Sequence, residues 1–346
     1  GRFAGEALRV WDVTWGMARA DLVIENKYVD IRNRLITGQG PATIVADGRY
    51  ALGFRSADLA EIRSKVVLNN WPVADLRHAV NLDDWPMEGT LGMVDLDLRG
   101  RYKNMFGTGR MRIDNGKAWN EPFDSATGDL ELEGTGLRVS RIEMHKGPGL
   151  MHGAARIGWD GTYAFNADGD DIEVEHLDNF KVPSAPLSGR LKFKATGAGS
   201  FDAPIYTFDG SIDDLFVGSE GIGAVAGRFT INNKVMSIER LQAGSGRLQV
   251  VGSGTIAFDD AYTSDLRLRF QDTALDPYLK FVMSEDISPY ARIVVGGGMT
   301  VKGPLATPES LTVDTTIDDA SLTLADYNLT NDGPIRLGFD KGVMQL

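Results

Sequence analysis

Two histidines, His145 and His152, flank the turn Gly147-Pro148-Gly149 and are spaced to face each other across a hairpin as metal ligands. Zinc or copper needs further donors, and no carboxylate cluster accompanies the pair in sequence, so both read as surface or strand-facing residues. The run Asp168-Gly169-Asp170-Asp171 has the oxygen density of a calcium loop. It lacks the spacing of an EF-hand and the terminal bidentate Glu, and reads as an acidic hairpin turn. The glycines of Gly221-Ile222-Gly223-Ala224-Val225-Ala226-Gly227 are one residue off a dinucleotide fingerprint, and they lead into strand-like Arg228 to Ile231 instead of a helix. They read as a flexible turn. No Walker motif, nucleophile elbow or HExxH pair is present, so the chain reads as a non-enzyme without cofactor or metal.

Composition narrows the classes further. With 346 residues, 42% hydrophobic and 24% charged, the chain is that of a folded protein. A net charge of −12 argues against a phosphate-tracking surface and hence against nucleic acid. The absence of Cys excludes disulfides and thiol chemistry and fits an oxidising compartment. No run approaches the length of a membrane-spanning segment, and Gly1-Arg2-Phe3-Ala4-Gly5 is not a signal peptide, so any anchor is expected outside this sequence.

With no catalytic constellation to position, the informative pattern is the one that builds the elements. Every second residue is apolar in Val94-Asp95-Leu96-Asp97-Leu98-Arg99, Leu191-Lys192-Phe193-Lys194 and Leu266-Arg267-Leu268-Arg269-Phe270. The same period of two runs through Met111-Arg112-Ile113, Leu130-Glu131-Leu132, Leu248-Gln249-Val250 and Leu322-Thr323-Leu324. It predicts strands with one greasy and one wetted face. Asp114-Asn115-Gly116, Trp159-Asp160-Gly161, Phe258-Asp259-Asp260, Asn232-Asn233 and Asn331-Asp332-Gly333 predict tight hairpin turns. Short helices are expected over Ser56–Lys65, Ala74–Val80 and Leu275–Val282.

A period near 100 residues overlies this pattern. The sets Gly38, Gly40, Gly48, then Gly147, Gly149, Gly158, then Gly244, Gly246, Gly254 repeat one spacing. Ile157 to Tyr163 also corresponds to Ile256 to Tyr262. Module boundaries fall near 85, 183 and 288: a partial repeat 1–84, repeats 85–182 and 183–287, and a partial repeat 288–346. Both ends are expected to cut through a repeat.

Something must cover the apolar face, because an uncovered sheet of such strands invites aggregation. Either a second sheet does so, or the sheet curls into a taco-like groove whose interior lipid can fill. The groove reading makes Val94, Leu96, Leu98, Met111, Ile113, Leu130, Leu132, Leu191, Phe193, Leu248, Val250, Ile256, Leu266, Leu268, Phe270, Leu322 and Leu324 its lining. Asp95, Asp97, Lys192, Lys194, Arg267 and Arg269 then form the solvated outer face. The expected fold is an all-β, long antiparallel meander with a few short helices.

The grammar Pro86-x-x-Gly89, Val94 to Gly100, Gly109 to Gly116, Gly136-Leu137-Arg138-Val139, Gly147-Pro148-Gly149 and Val174-Glu175-His176-Leu177 resembles the AsmA-like superfamily of bacterial envelope proteins. That superfamily includes TamB-type and YhdP-type proteins, the former the nearer in style, and the resemblance covers almost the whole chain. It implies a periplasmic β-groove that takes phospholipid acyl chains and carries lipid between the inner and outer membranes, with an inner-membrane anchor outside this sequence. A role in outer-membrane β-barrel assembly, through sheet-edge pairing with an outer-membrane protein or assembly factor, is the alternative. The family brings no catalytic residues. In a bacterial protein the sequon Asn328-Leu329-Thr330 means little.

Overall fold

The structure, a computed structural model, describes all residues except 11, 53–60, 80–81, 84, 102–103, 182–185, 276–290, 325, 341–342 and 346. The chain is all-β: an antiparallel meander, not closed into a barrel, with one short α-helix among the described residues. It divides into two compact units. The first takes in Gly1–Ile172, Leu177–Asn179 and Gly197–Asp202; the second takes in Glu173–His176, Phe180–Thr196 and Ala203–Leu346.

Unit 1 holds β1 (Arg2–Val10), β2 (Val13–Glu25), β3 (Tyr28–Gln39), β4 (Ala42–Ala51), β5 (Glu61–Pro72) and β6 (Met87–Arg101). It continues with β7 (Asn104–Ala118), β8 (Glu121–Gly134), β9 (Gly136–Lys146), β10 (Gly149–Gly158) and β11 (Thr162–Glu173). Each pairs with the next in sequence order. Direct partners share a face, so the registers draw apolar rows across the unit. One row runs Val66, Leu96, Gly109, Leu130, Val139, Ala155 and Phe165 from β5 to β11.

Unit 2 holds most of β12 (Leu187–Ser200) and then β13 (Ala203–Val217), β14 (Glu220–Asn232), β15 (Val235–Gly244), β16 (Gln249–Ala257) and β17 (Thr263–Ala274). After these come β18 (Ala291–Pro304), β19 (Thr312–Leu324), β20 (Tyr327–Thr330), β21 (Ile335–Asp340) and β22 (Val343–Gln345). From β13 to β19 the strands again pair in order, and β20 and β21 share β19 as their partner. Asn331-Asp332-Gly333 is therefore the break between two strands on the same neighbour, where a hairpin was expected.

Several expectations are corrected by the register. Glu61–Lys65 opens β5 and is not the end of a helix: Ile62 and Ser64 are buried while Glu61, Arg63 and Lys65 face water. A period of two overrides the 3–4 spacing once neighbouring strands supply partners. Residues 56–60 of that expected helix, and the helix expected from Leu275 beyond that residue, lie outside the described residues. Asp114-Asn115-Gly116 lies inside β7, where Asn115 takes a left-handed φ of 48° at a bulge and no hairpin turn forms. Asp168 to Asp171 lies inside β11, with Asp171 left-handed at 58°. Gly221 to Gly227 lies within β14 and is no turn. Leu248 sits in the β15–β16 connection, since β16 starts at Gln249.

Left-handed residues punctuate the long strands at related places. Asn70 in β5, Asp171 in β11 and Asp272 in β17 each have positive φ near the strand end. Gly100, Gly199 and Gly303 do the same near the ends of β6, β12 and β18. Two tight sites are Gly48 in β4, where a Cβ would meet the Arg63 carbonyl oxygen at 2.0 Å, and Gly254 in β16, where it would meet the Asp265 oxygen at 2.2 Å. At Gly48 φ is also +102°. Gly48→Ala is expected to cost about 1–3 kcal/mol in backbone strain alone. Chemical denaturation checks this, and an unchanged midpoint would show that β4 and β5 separate freely there.

Unit 1 closes around a buried cluster that includes Val13, Trp15, Ile44, Leu68, Trp71, Val94, Ile113 and Val139. Helix α1 (Val73–Ala79), expected at Ala74–Val80, follows Pro72 and seals one side of it. Seven residues are too few for a helix to hold itself in water. Packing holds it: Val73 is buried, and Leu76 and Ala79 lie against the cluster. Arg77 donates to the Trp85 carbonyl, and His78 pairs with Asp83 at 3.0 Å. Trp15 on β2 and Trp71 on β5 stack with centroids 5.2 Å apart, although three inter-strand spacings, about 14 Å in a flat sheet, separate their strands. The inner faces of β2 and β5 are drawn together at this point.

Candidate functional site

The candidate site is the apolar face of unit 2, and it is built by register. Phe208 on β13 pairs with Phe229 on β14, Phe229 with Ile238 on β15, and Ile238 with Gly254 on β16. The row continues through Leu266, Val301, Val313 and Phe339 on β17, β18, β19 and β21. Phe193 on β12 begins an aromatic ladder along it: Phe193 stacks on Phe208 at 5.4 Å, and Phe208 on Phe229 at 5.5 Å. Parallel-displaced rings on neighbouring strands are the favoured cross-strand contact for aromatics.

What separates this face from that of unit 1 is its cover. In unit 1, Val94 at 4%, Ile113 at 3% and Leu130 at 8% exposure belong to the closed cluster, with Leu96 and Met111 packed against it. Leu98 and Leu132 are half-buried farther along their strands. In unit 2, Phe193, Val250, Ile256, Leu266, Leu268, Phe270 and Leu322 are all half-buried, as are Leu248 and every row residue with a side chain. Leu324 is exposed and Leu191 buried. Among the described residues from 203 onward, the buried apolar side chains are Ala274 and Val295, neither of them in the aromatic row. Among the described residues, unit 2 thus presents an apolar face that no side chain fully covers.

Phe208, Phe229, Ile238, Val301, Val313 and Phe339 were not among the residues read from alternation. Small residues hide them: Gly210 and Gly227 share the same face and break the apolar period in sequence. Tyr206-Thr207-Phe208 and Phe229-Thr230-Ile231 did carry the alternating signal.

The opposite face is mostly polar, with isolated exposed apolar residues such as Phe106 and Val251. In unit 1, Lys65 pairs with Asp95 at 3.6 Å and Arg110 with Asp129 at 3.7 Å. Glu133 accepts from Arg156 at 2.8 Å and from Arg138 at 2.6 Å. The Arg156 hydrogen bond, then that from Arg138, holds the Glu133 carboxyl below its ordinary 4.5. A depressed folded-state value means stability that is present above the ordinary value and lost as pH falls through the folded one. Glu133→Gln is therefore expected to be less stable than the parent near neutral pH and equal to it in acid below the usual Glu range. Denaturation midpoints from pH 7 to pH 3 test this, and a constant difference across the range would remove the ion-pair explanation.

An open hollow of about 1100 Å³ lies in unit 2. Ser211, Ala226, Gln242, Arg269, Gly298 and Thr316 line it in one register row. Arg267, Arg269, Asp314, Asp318 and Asp319 border it together with Val250, Leu268 and Phe270. Mixed charge around an open, shallow surface selects no ligand class. The uncovered aromatic face carries the clearer signal.

The chemically suggestive residues come to little. His145 lies 3.0 Å from Glu143 and His152 lies 3.9 Å from Asp168, each histidine with its own carboxylate. No three metal-ligating side chains converge among the described residues. No helix among them is long and apolar enough to cross a membrane. Compared with known protein families, curated proteins and solved structures, the chain matches none.

Proposed function

We propose that the apolar face holds phospholipid acyl chains and that the meander is a curled, taco-like trough of repeats about 100 residues long. The trough would conduct lipid across the periplasm in the manner of AsmA-like proteins, with no catalytic step. The observation that carries the reading is the uncovered row from Phe208 to Phe339 in unit 2. Exposed apolar patches larger than a few hundred Å² are rare on soluble proteins and mark binding surfaces. Acyl chains would gain about 25 cal/mol per Å² of apolar area removed from water, with no demand for directional recognition. Unit 1 shows what a covered face looks like, since α1 and the tryptophan stack close its cluster.

The repeat reading rests on the meander as well as on sequence. The three Gly-x-Gly turns fall between β3 and β4, β9 and β10, and β15 and β16, six strands apart each time. The left-handed residues of β5, β11 and β17 keep the same step. Curling is supported by the approach of Trp15 and Trp71.

Native mass spectrometry of the purified protein, before and after delipidation, tests the proposal. Co-purifying phospholipid that rebinds after removal is the expected result. A folded protein that neither carries nor takes up phospholipid would favour the scaffold alternative, for which β20 provides an exposed edge: all four of its residues are exposed.

A further inference from the structure

At three hairpin ends the strand ladder is extended by one further hydrogen bond, each time from a large apolar residue. In unit 1 the Leu52 amide donates to the Lys27 carbonyl at 2.7 Å, and the Trp159 amide donates to the Thr135 carbonyl at 3.0 Å. In unit 2 the Phe258 amide donates to the Lys234 carbonyl at 2.7 Å. Each acceptor lies in the turn of the preceding hairpin on the same side. Each donor follows directly on β4, β10 or β16. The three side chains are large and apolar, yet exposed at 41%, 40% and 40%.

Tyr50, Ile157 and Ile256 stand two residues earlier; Ile157 pairs with Leu137 and Tyr163, and Ile256 with Met236, all on the apolar side. Leu52, Trp159 and Phe258 follow just past the ends of β4, β10 and β16 and are partly exposed to water. Two of the turns are stiffened by the following residue. Asp160 accepts from the Thr162 amide at 3.1 Å and hydroxyl at 2.6 Å, and Asp259 accepts from the Thr263 amide at 2.9 Å and hydroxyl at 2.8 Å. A single exposed hydrophobe needs no explanation, but three pinned at equivalent places do.

We infer that Leu52, Trp159 and Phe258 are rim anchors that seat the ester-proximal part of a phospholipid whose chains lie on the apolar face. The inference rests on the lipid-binding proposal and deepens it. An apolar or amphipathic side chain at the boundary between hydrocarbon and water suits the glycerol level of a lipid. Lys27 and Lys234, exposed at two of the three anchors and in no ion pair among the described residues, complement the phosphate next to that level.

A benzophenone amino acid placed at 52, 159 or 258 in the full chain tests this, with position 193 as inner and position 194 as outer control. The protein is loaded with palmitoyl-oleoyl phosphatidylglycerol from detergent and separated from vesicles before illumination. Mass spectrometry of the adducts should place the rim cross-links on the glycerol or the first acyl carbons, those from 193 on distal methylenes, and none at 194. Lipid cross-linked at 193 and not at the rim overturns the anchors and leaves the apolar site standing. Rim adducts that form only with vesicles present also overturn the inference, because the rim would then touch a bilayer. No adduct at any position removes the lipid-binding proposal itself. Serine at all three anchors should shorten lipid retention about tenfold with an unchanged melting curve; unchanged retention would count against the anchors.

Discussion

Phe229→Asp is expected to abolish phospholipid binding by unit 2 while leaving the protein folded. Phe229 stands in the aromatic ladder, stacked on Phe208 at 5.5 Å and half-open to solvent. In the lipid-free protein the new carboxylate reaches water at the partly open face, so folding loses the stacking, about 0.5–1.5 kcal/mol, and up to about 1.5–3 kcal/mol of buried ring area. With an acyl chain laid over the face, the same carboxylate must shed water without a partner. That costs several kcal/mol, more than the local apolar area returns at about 25 cal/mol per Å². Lys194→Asp on the wetted face is the matched control: it reverses a charge on an exposed strand position and should leave lipid uptake unchanged. Native mass spectra and far-UV circular dichroism of both variants decide the matter. Lipid retained by Phe229→Asp would move the site away from this face, and lipid lost from both would point to a general effect of charge.

How far the sequence could be read depended on which interactions were local. The period of two in Val94 to Arg99 or Leu266 to Phe270 is a property of consecutive residues, and those segments are strands with the expected sides inward and outward. Turns capped by their own side chains, as at Asp160 and Asp259, were equally readable. Bulges were not. Asn115 is a residue typical of turns, yet the chain runs on past it as strand, because β6 and β8 on either side offer more hydrogen bonds than a hairpin reversal would.

The site was legible only in part, for the same reason. Alternation marked Phe193, Leu266 and Phe270, but it could not reveal that Phe208 and Phe229 complete the ladder from strands interrupted by glycine. Nor could it distinguish Val94 and Ile113, closed into a core, from Phe193 and Leu268, which have the same patterning and are only half-buried. Cover is decided by what approaches from elsewhere in the chain, here α1 and Trp15 in unit 1.

The largest expected stability loss follows from that cover. Trp71→Ala removes a side chain 1% exposed, stacked on Trp15 and separated from α1 by Pro72 alone, so a loss of about 3–5 kcal/mol is expected in unit 1. Trp71→Phe should cost much less than its lost volume suggests. The Trp71 indole N–H is buried and finds no acceptor among the described protein atoms. Such a donor carries a penalty of about 1–3 kcal/mol that phenylalanine does not have. Because strand meanders are stabilised mainly by nearest neighbours, the alanine variant should speed amide exchange in β2 and β4 to β6 and leave β13 to β19 protected. Urea denaturation followed by hydrogen exchange separates these outcomes. Equal losses for Phe and Ala would mean that ring area alone sets the energy, and uniform acceleration would mean that the units unfold together. If unit 2 stays protected, phospholipid should still bind the alanine variant, since the uncovered face does not depend on the tryptophan stack that closes the other unit.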